Sequence, residues 1–178
     1  IIGLSRNIVN DLEYLEPKGY YLNLKLWLNS WKTIKRLPST PPINLLYGLK
    51  KSLKRILSEG IQNVYRRHML VSRKLRNALR EMGLKIVAES DEIASPTVTV
   101  VYTPNGIKSD VIVEDLWKKY GVLVAKALGD ISDSAIRIGH MGVTATLDNI
   151  FVVVYALSKV LMSKGVNINL EKVLSLLT

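Results

Sequence analysis

Thr97-Val98-Thr99-Val100-Val101-Tyr102 is a run of β-branched and aromatic residues closed by Pro104-Asn105-Gly106. Such a run before such a turn marks a strand. Downstream, Ser109 with Asp110 opens a helix that Gly121 ends, a hydroxyl cap with an acid in the first turn. Val122-Leu123-Val124-Ala125 and Ala135-Ile136-Arg137-Ile138-Gly139 read as two more strands around a loop at 128–133. Upstream, Leu84-Lys85-Ile86-Val87-Ala88 is a short strand. Before it, Leu45, Leu49, Leu53 and Ile56 recur at helical spacing, Gly60 interrupts, and Ile61, Val64, His68, Val71, Leu75, Leu79 and Met82 resume the stripe up to Gly83. At the far end, Thr144 or Thr146 starts a helix running to Lys164, and Asn169 opens a last one from Leu170 to Leu177. The order from residue 43 is ααββαββαα. It predicts a small sheet covered by helices, an α/β fold of the α+β sandwich kind.

Residues 1–36 read as a lead-in arm broken at Pro17-Lys18-Gly19. Within it, residues 21–28 suit strand or helix, with helix favoured. Arg36-Leu37-Pro38-Ser39-Thr40-Pro41-Pro42 is a linker in which Thr40 suits a cap and Pro41 a first helical position. The expected division is therefore an arm at 1–36 and a helix-covered domain at 37–178. The 178 residues, 48% hydrophobic and 22% charged, suffice for a buried core. The absence of cysteine excludes disulfides, thiolate metal sites and cysteine nucleophiles, and fits an intracellular protein. With only His68 and His140, a histidine-rich metal site is excluded as well. No run approaches the roughly 20 apolar residues that span a bilayer. The first residues, Ile1 to Ser5, read like the middle of a strand, so the chain is expected to be a piece of a longer protein.

The net charge of +10 is concentrated. Residues 32–86 hold 14 Lys and Arg against Glu59 and Glu81, while the rest holds 11 basic and 13 acidic residues. A basic segment attracts nucleic acid or another anionic surface. Here the cations interleave with the apolar stripe and no aromatic stacking platform accompanies them, which favours a solvated helix face.

Arg137 is the most informative single residue. Alternation sends Ile136 and Ile138 to one face, and Ala135, Arg137 and Gly139 to the other. Small neighbours leave room over the guanidinium, whose fork suits a carboxylate or phosphate. Pairing with a nearby acid, or extension into solvent, is the alternative. Ser39-Thr40 at a helix start has two readings as well, a phosphate site or plain capping. His68 sits on the apolar stripe and reads as a packed residue. His140 follows the Arg137 strand and is a candidate for lining the same cleft. Gly129 and Gly142 read as turn glycines, and Trp27, Trp31 and Trp117 as core anchors.

These segments together resemble a known family. Thr40-Pro41-Pro42-Ile43-Asn44-Leu45-Leu46-Tyr47-Gly48-Leu49 is similar to the T-P-P-x-x-x-x-Y-x-L segment of class V aminotransferases, pyridoxal-phosphate enzymes such as alanine–glyoxylate and serine–pyruvate aminotransferase. Tyr21 to Trp27 resembles the family's Y-L-D-x-K helix. Gly60-Ile61 with Arg66, Arg67 and His68 resembles its E-G-(x)n-R-x-H helix, and Ser95 to Thr99 its P-T-V-T strand. Ala127-Leu128-Gly129 resembles G-L-G, and Ile136-Arg137-Ile138-Gly139-His140-Met141-Gly142 resembles R-I-G-x-x-G. The ordered matches run over residues 1–165.

The resemblance implies the C-terminal half of a fold-type-I transferase: the small domain plus the tail end of the large, cofactor-binding domain at 1–36. It places the Schiff-base lysine shortly before Ile1, so no lysine here is assigned to catalysis and the chain alone is expected to be inactive. It assigns Arg137 to the substrate carboxylate and Thr40 to the phosphate of pyridoxal 5'-phosphate, reached across a homodimer interface. The family often has a tyrosine three residues before that threonine. Here the position is Leu37, which offers the phosphate no hydrogen bond. Lack of cysteine excludes the family's desulfurase chemistry.

The function so implied is transfer of an amino group between alanine or serine and glyoxylate or pyruvate, by a cytoplasmic homodimer. Two other readings are a catalytically incomplete module that dimerises or pairs with a separate chain carrying the N-terminal half, and a basic nucleic-acid-binding domain.

Overall fold

A computed structural model of the chain describes residues 2–178. It divides into two compact units, residues 1–55 and 56–178. The division falls inside a helix rather than at the linker.

In the first unit, Ser5 caps helix α1 (Arg6–Asp11) by accepting a hydrogen bond from the Ile8 amide at 3.4 Å. Residues 2–5 therefore lead into a helix instead of forming the strand that Ile1 to Ser5 suggest, and Ile1 itself lies outside the described residues. Asn23 caps α2 (Leu24–Ile34) through the Leu26 amide at 3.0 Å, which resolves residues 21–28 in favour of helix. Lys35 ends α2 in the left-handed region at φ 55°. Helix α3 (Ile43–Glu59) begins later than the linker suggests, with its first bond running from the Leu46 amide to the Pro42 carbonyl. Thr40 is therefore not its cap. Neither Pro41 nor Pro42 has an amide to donate, and a residue before proline is pushed out of the helical region, so the helix starts only after both have passed.

In the second unit, Gly60 at φ 83° separates α3 from α4 (Ile61–Glu81). The inward face of α4 carries Val71, Leu75, Ala78 and Leu79. Three strands follow, β1 (Val98–Tyr102), β2 (Ala125–Lys126) and β3 (Ala135–Gly139), in the order β1-β3-β2 with both pairings antiparallel. Helix α5 (Ser109–Tyr120) joins β1 to β2. α6 (Leu147–Met162) and α7 (Leu170–Ser175) follow β3.

The sheet is smaller than the sequence suggests. Residues 84–88 contribute one bridge, Ile86 opposite Val101, with two backbone bonds to Val100 and Tyr102. The run 122–125 pairs only at its end, because the Val122 amide is already used on the Leu116 carbonyl at the end of α5. Ser109 is not a cap either. It is buried, and its hydroxyl donates to the Ser132 carbonyl at 2.6 Å, leaving Lys108 at the cap position. Thr146, not Thr144, caps α6, and Asn169 caps α7 as read.

Ile136 and Ile138 of β3 and Val101 of β1 face a core shared with Leu75, Leu79, Ile112, Leu116, Leu157 and Leu161. The tryptophans lie outside it. Trp31 and Trp117 are exposed, and Trp27 is half-buried, edge-on to Tyr21. On α5 the inward stripe is Ile112 and Leu116, four residues apart, and Trp117 stands one step round the helix, outside that stripe.

Leu75 is completely buried. Leu75→Ala is expected to lower stability by about 2–5 kcal/mol, read as a fall in the urea midpoint at unchanged slope.

Candidate functional site

The sheet has one face on the helices and one face away from them. Arg137 stands on the second. Opposite it across the ladders are Val100 on β1 and Ala125 on β2. Ala135 and Gly139 share its face by alternation. A side chain added at Gly139 would meet nothing within 4 Å, so the floor beside the guanidinium is open.

Arg137 is half-buried. Its Nε donates to the Lys126 carbonyl of β2 at 2.8 Å. Lys126 itself pairs with Asp133 at 2.7 Å. No described acid pairs with Arg137. The stem is thus tethered by a neutral acceptor, and the two terminal nitrogens carry no hydrogen bond to a described residue. That is the state a receptor for a carboxylate needs: oriented, charged and unpaired at the fork.

Thr40 is exposed, and its hydroxyl makes no hydrogen bond to a described residue. Capping, the alternative reading of Ser39-Thr40, does not occur at Thr40. Thr40 lies in the first unit and Arg137 in the second.

His140 is not in the cleft. It continues the alternation onto the buried side, 1% exposed, with Nε2 at 2.9 Å from the Thr99 hydroxyl. Burial lowers its pKa to about 4, so the ring is neutral at physiological pH. Its Nδ1 has no hydrogen-bond partner among the described residues.

His68 is a joint and not only a packed residue. Its Nδ1 donates to the Val64 carbonyl at 2.7 Å, because a carbonyl can only accept. Its Nε2 therefore accepts, and the Gly142 amide donates to it at 2.9 Å. Next to it, Arg67 donates through Nη1 to the carbonyls of Gly142 and Ala145, both at 2.8 Å. Its other two nitrogens hold Glu59 at 2.6 and 2.9 Å, and the pair raises the Arg67 pKa further. Glu59 was not singled out as a site residue from the sequence. Spacing alone does not pair a carboxylate with an arginine eight residues on, across a helix break.

The basic helix face is partly spent internally. Arg67 is held by Glu59, and Asp91 is shared by the buried Arg76 at 2.8 Å and by Arg80 at 2.6 Å. Gly129 and Gly142 are turn glycines as expected, at φ 63° and 60°. Among the described residues no group of acids and histidines could hold a metal ion, and no helix is long and apolar enough to cross a membrane.

No protein-family model matches the chain. Individual proteins do. It is 37% identical over 131 residues to a pyridoxamine–pyruvate transaminase of Mesorhizobium japonicum, covering 74% of this chain and 33% of that protein. It is 33% identical over 150 residues to an alanine–glyoxylate aminotransferase of Mus musculus, covering 82% of this chain and 36% of that one. Among solved structures, a pyridoxamine–pyruvate aminotransferase from Mesorhizobium loti superposes over 98% of this chain and 45% of its own, with a TM-score of 0.90 at 30% identity. An alanine–glyoxylate aminotransferase from Nostoc sp. does so over 89% and 42%, with a TM-score of 0.80 at 28% identity. The chain thus spans less than half the length of the relatives it matches.

His140 generates a pH prediction. Its folded pKa, about 4, lies below the ordinary 6.5. The unfolded chain therefore takes up a proton as pH falls from about 6.5 while the native chain does not until about 4. Its contribution is complete above about 6.5 and is lost progressively down to about 4, on the order of 3 kcal/mol in all. Urea unfolding across this window should show that decline, and His140→Gln, which cannot titrate, should flatten it.

Proposed function

This chain belongs to the class V aminotransferases, and we propose that the complete protein moves an amino group between alanine or serine and glyoxylate or pyruvate. The observation that carries the reading is Arg137: a tethered, unpaired guanidinium on the open face of the sheet, in the segment that matches the family's carboxylate-binding arginine. Both partner substrates of such a reaction carry a carboxylate, and one positive fork serves both in turn.

Arg137 works by positioning. Two parallel N–H···O bonds to the carboxylate fix the substrate in orientation as well as in place. Binding energy at this non-reacting end then holds the α-carbon where its proton is to be removed. The apolar floor of Val100, Ala125 and Gly139 keeps the fork from being satisfied by a protein acid.

Pyridoxal 5'-phosphate is the family's cofactor, and when bound it supplies the electron sink for breaking the bond to the α-hydrogen. The exposed, unengaged hydroxyl of Thr40 fits a phosphate oxygen. Thr40 would hold that phosphate in a homodimer, and Leu37 adds no second hydrogen bond. We assign the cofactor-bearing lysine to sequence upstream of these residues, so the 178-residue chain by itself is inactive. The domain assignment follows: 1–36 as the end of the large domain and 37–178 as the small one. The compartment proposed is the cytoplasm.

In the complete protein, Arg137→Ala should raise KM for the amino acid about 100-fold, the scale of losing one charge-assisted bidentate pair. Cofactor absorbance should persist. Steady-state kinetics with alanine and glyoxylate read the effect, and unchanged kinetics would contradict the assignment. Thr40→Val should instead weaken retention of the cofactor on dialysis, while leaving KM of the retained fraction close to that of the parent.

A further inference from the structure

We propose that Arg67 and His68 are positioning residues for Arg137: together they clamp the turn that leaves β3, and so set where the carboxylate-binding fork stands. The proposal rests on the carboxylate reading of Arg137 given above.

The clamp closes on one residue, Gly142, from both of its flanking peptide groups. The Gly142 amide donates to His68 Nε2, and the Gly142 carbonyl accepts from Arg67 Nη1. Arg67 adds the Ala145 carbonyl, so the segment 142–145 is held at three points from adjacent residues of α4. Neither side chain is loose. Glu59 holds Arg67 by two bonds on its far edge, and the Val64 carbonyl holds His68 at Nδ1. These bonds join groups about 75 residues apart in sequence.

Such a device has a clear purpose at this place. β3 is anchored at its start by backbone bonds from Thr103 and Ser109 to the residues just before it. Its end is Gly139, and the chain then turns at Gly142, φ 60°. Gly139 still pairs with Val98 and the His140 amide donates to the Thr97 carbonyl at 2.9 Å, so β1 holds the strand as far as residue 140; past it, no strand pairing among the described residues holds the segment 141–145. The Arg137 tether depends on β2, a strand of only two residues. On the β2 side β3 pairs with only those two residues, so the turn that follows the strand bears on where the fork stands against β2. A catalytic group must hold its place within about 0.5 Å, and a misplacement of about 1 Å can cost two orders of magnitude in rate. The clamp fixes the segment beyond residue 140, where the pairing with β1 has ended.

The test uses the complete, cofactor-loaded protein. Four forms are compared: parent, Arg67→Met, Arg137→Ala and the double variant. Two quantities are measured for each, KM for alanine and the dissociation constant of propionate, a carboxylate with no amino group to react. The expected result is that Arg67→Met raises both about tenfold in the parent background, and raises neither further once Arg137 is gone. An equal rise in both backgrounds, or no rise in the single variant, overturns the proposal while leaving the carboxylate reading in place. Propionate binding unaffected by Arg137→Ala overturns that reading, and the proposal with it. If Arg67→Met does not fold, His68→Gln and His68→Leu take its place. Gln keeps an acceptor for the Gly142 amide and should retain parent-like propionate binding, whereas Leu should lose it about tenfold. Identical behaviour of the two overturns the proposal.

Discussion

One hydrogen bond organises the site: Arg137 Nε to the Lys126 carbonyl. A guanidinium on the face of a sheet has two ways to be wasted. It can pair with a protein acid, or it can sweep through solvent. Tethering the Nε to a neutral carbonyl prevents the sweep without neutralising the charge. Asp133, on the loop before β3, is paired with Lys126. Lys126 thus supplies both the carbonyl that holds Arg137 and the cation that pairs with this acid.

That arrangement requires the sheet, and the sheet requires the helices. Ile136 and Ile138 alternate with Arg137, so burying them against α4, α5 and α6 turns Arg137 to the other side. Burial drives the fold, and the site lies on the opposite face, where Arg137, Val100 and Ala125 keep exposure. Ser109 and Arg76 show polar groups drawn into the same core: each is buried, and each is satisfied, by the Ser132 carbonyl and by Asp91 with the Ser95 carbonyl. His140 is the exception, with Nδ1 unpartnered among the described residues. It stays neutral because charging it there is costly.

Much of this could be read from residue patterns. The helical stripe from Ile61 to Met82, the glycine stops at Gly60 and Gly83, the caps at Thr146 and Asn169, and the alternation in β3 are local, and local rules recover them. What local rules missed was decided by competition between distant groups. Val122 has strand chemistry, but its amide is taken by the end of α5. Ser109 has cap chemistry, but Ser132 comes within reach of its hydroxyl. Thr40 sits before a helix, but two prolines delay the start. Arg137 was found as a residue, yet spacing alone left its partner open. Only the register of β2 beside β3 brings the Lys126 carbonyl to its Nε. Glu59 and the Gly142 peptide join Arg67 and His68 only through the fold.

Arg137 is a tethered fork with both terminal nitrogens unengaged among the described residues, and we propose that it takes a carboxylate. A crystal structure of the complete protein with bound alanine or propionate tests it most directly. The account predicts the carboxylate oxygens at about 2.9 Å from both terminal nitrogens of Arg137, with Nε still on the Lys126 carbonyl. A carboxylate bound elsewhere, or an Arg137 that swings off Lys126 to pair with a protein acid, would contradict it.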